Sequence, residues 1–163
     1  NADLSNNYGN LIQRITSFIV KNSNSTVENV FNLSNEDLSI LDFSKDKLLS
    51  YQNHLNNQEI DKALKNIFEL LSEANAYVDR QAPWSLKKTD TNRMNVVLSI
   101  SVELIRRSTF MLSPFIPSSA KKVFSLLNID PESISFDNIF DLNNFPYKIN
   151  KPTPIFPRIE LND

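Results

Sequence analysis

Residues 60–88 read IDKALKNIFELLSEANAYVDRQAPWSLKK. Within them Ile60, Ala63, Leu64, Ile67, Phe68, Leu71, Ala74 and Val78 recur at helical spacing and form the clearest apolar stripe of the chain. Asn56 and Asn57 break the pattern before it, and Pro83 breaks it after, because a proline ring cannot continue a helix. The chain therefore predicts a long amphipathic helix from Ile60, stopped by a Pro-marked turn. The only tryptophan, Trp84, follows that proline directly, and Arg80, Lys87, Lys88 and Arg93 lie close by in sequence.

Working outward, the same periodicity predicts further helices. Leu4, Tyr8, Leu11, Ile12, Ile15, Phe18 and Ile19 place one over Asn1 to about Lys21. Residues from about Thr26 to Ser44 mix Asn, Ser and Asp with scattered Leu and Phe, which predicts a loop or short helical turns. A second helix is expected from about Asp46 to Leu55, and another from about Thr91 to Leu112 on Val97, Ile100, Leu104 and Met111. Pro117 suits the first turn of a last helix, where its missing N–H costs nothing, and Ala120, Val123, Phe124 and Leu127 face inward from it. From Asn128 on, Pro131, Pro146, Pro152, Pro154 and Pro157 favour extended backbone. The expected architecture is all-α: a bundle of about five helices over residues 1–127, with an irregular Pro-rich extension over 128–163.

Composition limits the chemistry. A chain of 163 residues, 40% hydrophobic and 22% charged, suffices for one domain with a real core. Its single glycine, Gly9, rules out Gly-rich phosphate loops and dinucleotide fingerprints. With no cysteine there is no disulfide and no thiolate metal site, which fits a reducing compartment and a cytoplasmic protein. One histidine builds neither a His-rich metal site nor a Ser-His-Asp triad, and the acidic residues form no paired arrangement for acid–base work. The expectation is no catalytic residue, no metal and no cofactor in this chain. No apolar run spans a membrane and no secretory signal is visible. A net charge of −2 argues against a broad grip on DNA or any other nucleic acid, but leaves room for a local basic patch. The chain opens at Asn1 already in helix-like sequence, which reads as a piece of a longer protein.

The candidate site residues each carry two readings. Trp84 either plugs a gap between helices or, as an aromatic plane on a turn flanked by cations, stacks on an unstacked base. Asn10 and Arg14 are four apart and share a helix face beside the apolar stripe. They form either a solvated polar pair or an inventory for reading base edges. Arg80, Lys87, Lys88 and Arg93 are candidates for phosphate contacts. Arg106 and Arg107 are adjacent and point to different faces, one expected to be salt-bridged and the other solvated. His54 is expected exposed on its helix, and Tyr77 and Phe110 in the core.

The order Asn1-Ala2-Asp3-Leu4, Asn10, Arg14, the run from Ala76 to Trp84, Leu112-Ser113-Pro114-Phe115-Ile116-Pro117 and Pro154-Ile155-Phe156-Pro157-Arg158-Ile159-Glu160 resembles one family. It is similar, over nearly the full length, to the C-terminal anticodon-binding domain of bacterial-type methionyl-tRNA synthetases. Gln81-Ala82-Pro83-Trp84 is the most specific part. Pro-Phe-Ile-Pro is less so, since related class I synthetases for other aliphatic amino acids carry something like it. The resemblance implies that Trp84 stacks on the first anticodon base, a cytosine, and that Asn10 and Arg14 hydrogen-bond anticodon bases. It implies methionine tRNA, read through its CAU anticodon loop, as the partner. It further implies a separate catalytic domain in the parent that attaches methionine using ATP and magnesium, with 128–163 as a strap packing toward that domain. The catalytic signature motifs are absent from these residues, and any zinc of the parent would bind elsewhere. Two other readings remain open: a helical docking module of the same fold that does not bind RNA, and the equivalent domain of another aliphatic synthetase.

Overall fold

A computed structural model describes residues 3–28, 32–142 and 147–156. The element order is a π-helical stretch Asp3–Gly9, α1 (Asn10–Asn22), β1 (Thr26–Val27), α2 (Asn35–Asn56), α3 (Ile60–Gln81), α4 (Pro83–Thr89), α5 (Thr91–Leu112), α6 (Pro117–Leu126), a 3₁₀ turn Pro131–Ser133 and β2 (Tyr147–Lys148). The five long helices are those the periodicity predicts, and the short α4 is added where a turn alone was expected.

α5 is the axis. Every residue from Val97 to Thr109 is buried, so this helix is enclosed on all sides rather than along one stripe. α1, α2, α3, α4 and α6 pack around it, and α2 lies along α3. Tyr8 of the opening stretch donates to or accepts from Thr109 Oγ1 at 2.7 Å, tying the N-terminus to the axis.

The expected loop between Thr26 and Ser44 is corrected. α2 begins at Asn35, well before Asp46, and is started by a capping box: Ser34 Oγ accepts from the Asp37 N–H, and Asp37 accepts from the Ser34 N–H. Its inward face carries Asp37 and Ser44 between Ile40, Leu41 and Leu48. Those polar residues interrupt the apolar pattern because their partners come from α5. The expectations for Arg106 and Arg107 are also corrected. Both are buried, and both bind the buried Glu103 one turn earlier on α5. His54 is partly buried rather than exposed, its Nδ1 2.6 Å from Glu59 Oε2 across the α2–α3 turn.

The C-terminal segment lies across the bundle. β2 pairs antiparallel with β1, the Ile149 N–H donates to Ser25 O, and the Asn150 N–H donates to Leu126 O. Ile139, Tyr147, Ile149 and Ile155 are buried. Gly9 matters here: a Cβ at this position would lie 3.1 Å from the Phe156 ring, so the missing side chain lets that ring seat on the opening helix. Asn1, Ala2, Pro146 and the closing Pro157 to Glu160 fall outside the described residues.

Candidate nucleic-acid interface

The turn that presents Trp84 is built from Ala82. It adopts φ 44° and ψ 64°, ending α3 and beginning α4 in one left-handed step. The conformation is costly for any residue with a Cβ, by about 1–2 kcal/mol. It persists because its neighbours are pinned. Buried Pro83 occupies the first position of α4 with φ already suited to it. Gln81 Nε2 donates to Glu36 on α2, and Gln81 Oε1 accepts from Arg93 on α5, each at 2.5 Å.

Arg93 belongs to a buried network. Its guanidinium donates twice to Asp37, at 2.5 and 2.9 Å, and Tyr77 donates to Asp37 Oδ1 at 2.6 Å. Burial pushes the Asp37 carboxyl up, but hydrogen bonds from Arg93, Tyr77 and Ser34 outweigh it and hold the group at about 2. Burial, and then donation to Asp37, drive the Tyr77 hydroxyl far above its ordinary range, so it remains a donor. One carboxylate thus joins α2, α3 and α5 beneath the Trp84 turn.

Trp84 itself is 41% exposed, so it is not a buried plug. The Arg14 guanidinium lies over its ring, Cζ 5.1 Å from the centroid, a cation–π arrangement. Arg14 Nη2 also donates to Asp79 Oδ1 at 2.5 Å. Asn10 is exposed one turn before Arg14 on α1, and its amide has no hydrogen-bond partner among the described residues. It borders an open groove of about 500 Å³ with Asn6 and Gln13 on one side and Pro154 to Phe156 on the other. The structure therefore brings Arg14 and Trp84 into contact, with Asn10 beside them.

The four expected phosphate-facing cations divide. Arg80 pairs with Glu36 and Glu73, and Arg93 is committed to Asp37, so carboxylates already neutralise both. Lys87 and Lys88, in the last turn of α4, are exposed and form no ion pair among the described residues. Sequence reasoning missed Asp79, Glu36 and Asp37, whose partners are distant in the chain. The Ser34-to-Asp37 cap was the one local signal that marked Asp37.

Among the described residues no group of three or more His, Asp or Glu side chains is placed to hold a metal, and no helix is long and apolar enough to cross a membrane. The family described as the anticodon binding domain of methionyl tRNA ligase matches residues 28–163. Methionine–tRNA ligase of Rickettsia felis is 38% identical over 98% of this chain, and that of Brucella suis 37% over 97%. The chain spans about a third of the length of these curated relatives, 32% and 31% respectively. The crystal structure of the free methionyl-tRNA synthetase of Mycobacterium tuberculosis superposes with a TM-score of 0.90 at 30% identity, covering 99% of this chain and 34% of that one. The same enzyme in complex with methionyl-adenylate gives 0.89 at 31%, covering 97% and 32%. With an all-α bundle, an exposed Trp84 on a Pro-started helix and these likenesses together, the chain belongs to the family of anticodon-binding domains of methionyl-tRNA synthetase.

Proposed function

We propose that this domain reads the CAU anticodon of methionine tRNA and holds the tRNA for a separate catalytic domain of the same protein. That domain would attach methionine in an ATP- and magnesium-dependent reaction, and 128–163 would run toward it. Single-stranded loops are the usual targets of sequence-specific RNA recognition, because their bases can be splayed out and stacked. The observation that carries the reading is the exposed Trp84 ring stacked with Arg14, one turn from the Asn10 amide, which has no partner among the described residues.

The energetics favour an exchange at that ring. An exposed cation–π contact is worth about 0.5–1 kcal/mol, while a stacked base contributes about 1–3 kcal/mol. The first anticodon base would displace the Arg14 guanidinium from the indole face. The displaced guanidinium, five donors on a short tether, and the Asn10 amide would then meet base edges. Asp79 would keep Arg14 within reach. Lys87 and Lys88 would take phosphates, Arg80 would stay with Glu36 and Glu73, and Arg93 would hold the turn through Gln81.

Trp84 is the only tryptophan, so its fluorescence reports the site alone. Titration with a CAU stem-loop at fixed low salt is expected to quench it, and a loop with a changed first base to quench it much less. Equal quenching by both loops would sink the reading. Trp84→Ala is expected to cost roughly 5- to 150-fold in affinity for the CAU loop, the equivalent of one lost stack. The same change should leave the thermal midpoint nearly in place, since the ring is substantially exposed. A large drop in that midpoint would instead make Trp84 a structural residue.

A further inference from the structure

The cations of this chain are distributed unevenly between paired and unpaired. Arg14, Lys47, Lys62, Lys65, Arg80, Arg93, Arg106 and Arg107 each face a carboxylate. Among the described residues Lys121, Lys122 and Lys151 face none, and all three line one open groove of about 510 Å³. Ser118, Ser125, Asn150 and Thr153 complete its polar lining, and among the described residues no acidic side chain borders it. Ser118, Lys121, Lys122 and Ser125 share one face of α6 by helical spacing, opposite buried Ala120, Val123 and Phe124.

The groove is built, not incidental. The Asn150 N–H donates to Leu126 O at 2.8 Å, and Asn150 Nδ2 donates to Ser125 O at 2.7 Å. These bonds fix the backbone beside Lys151 against the end of α6, so the three exposed lysines border the same groove. In a chain with a net charge of −2, an all-cationic groove calls for an anionic partner.

Its position selects the partner. Lys151 and Thr153 line this groove, and Pro154 to Phe156 line the one beside Asn10. Lys151 and Phe156 are five positions apart, at most about 17 Å even for fully extended backbone. A stacked nucleic-acid strand carries a phosphate about every 3.4 Å, so a short run of nucleotides spans that distance. We infer that Lys121, Lys122 and Lys151 bind the backbone phosphates of the RNA strand flanking the anticodon loop. This rests on the anticodon-reading function above. The site supplies affinity without sequence information, while base discrimination stays with Asn10, Arg14 and Trp84.

The test compares the chain with its Lys121→Gln/Lys122→Gln/Lys151→Gln variant on the CAU stem-loop and on the loop with a changed first base, across 50–200 mM salt. Each lost single-strand phosphate contact removes about 0.7 from the slope of log affinity against log salt. The triple variant is expected to lose about 2 from that slope. Its deficit relative to the parent chain should shrink roughly 15- to 20-fold between 50 and 200 mM, with the ratio between the two loops unchanged. The corresponding triple Lys→Arg variant should keep the slope, which separates charge from any folding defect. An unchanged slope with loop discrimination intact would overturn the inference and leave the groove as a protein-facing surface. A reduced slope in a chain that binds both loops alike would support the phosphate site while sinking the base-reading function. A parent chain that binds neither loop would overturn both.

Discussion

Glu103→Ala is expected to lower the stability of the domain by about 3–5 kcal/mol, the cost of removing one partner from a buried ion cluster. Glu103 is fully buried on α5, and its Oε1 accepts from Arg106 Nη2 and from Arg107 Nε, each at 2.7 Å. Removing it would leave two guanidinium groups, 1% and 3% exposed, with no carboxylate in ion-pair contact among the described residues. Both are also structural clamps. Arg106 Nη2 donates to Ile139 O at 2.5 Å and so fastens the C-terminal segment to the axis. Arg107 Nη1 donates to Leu41 O and to Ser44 Oγ on α2, and its guanidinium lies 5.4 Å from the Phe140 ring centroid. The effect therefore reaches three parts of the fold. Urea unfolding at pH 7 measures it, and a loss below about 1 kcal/mol would show that the cluster relaxes to water and is not a true interior pair. Glu103→Gln keeps the shape and an acceptor but not the charge, so it should fall between the two.

This cluster also shows where the sequence was legible and where it was not. α3 and α6 were readable because their inward positions are apolar save Asn66, so burial and periodicity carry nearly the same message. α2 was only half readable. Its inward face holds Asp37 and Ser44, which belong in the interior because Arg93 and Arg107 of α5 reach them. A pairing between positions 56 or 63 residues apart leaves no mark in a local pattern. Arg106 and Arg107 misled for the same reason, since adjacent arginines on a helix enclosed on all sides have no solvated face to occupy. Ala82 gave no signal at all, because a left-handed residue is announced by glycine or asparagine and here the neighbours enforce it. At the site, Asn10 and Arg14 were identifiable as sharing a face. That Trp84 lies against Arg14 depends on how α4 packs, and only the resemblance linked them beforehand.

Asp37→Asn is expected to cost about 2–3 kcal/mol at neutral pH and nearly nothing near pH 2. A carboxyl held at about 2 in the folded chain, against an ordinary 3.8, contributes about 2.5 kcal/mol through linkage. The sign follows from the direction. A depressed carboxyl binds its proton less readily when folded, so the contribution is complete above about pH 5. It shrinks as pH falls through 3.8 and is lost once the folded group titrates near 2. Other carboxylates also lower stability in acid, so the telling quantity is the difference between the parent chain and the variant. Urea midpoints at steps from pH 6 to pH 2.5 should show that difference closing as pH falls. A difference constant over the range would mean that Asp37 acts through shape and hydrogen bonding alone. The same variant tests the link from core to site. Arg93, still 21% exposed, would keep Gln81 and one acceptor oxygen at position 37 but lose the ion pair and the second of its two bonds there. The Ala82 turn would then lose part of what enforces its left-handed backbone, and Trp84 emission should change at pH 7 even without RNA.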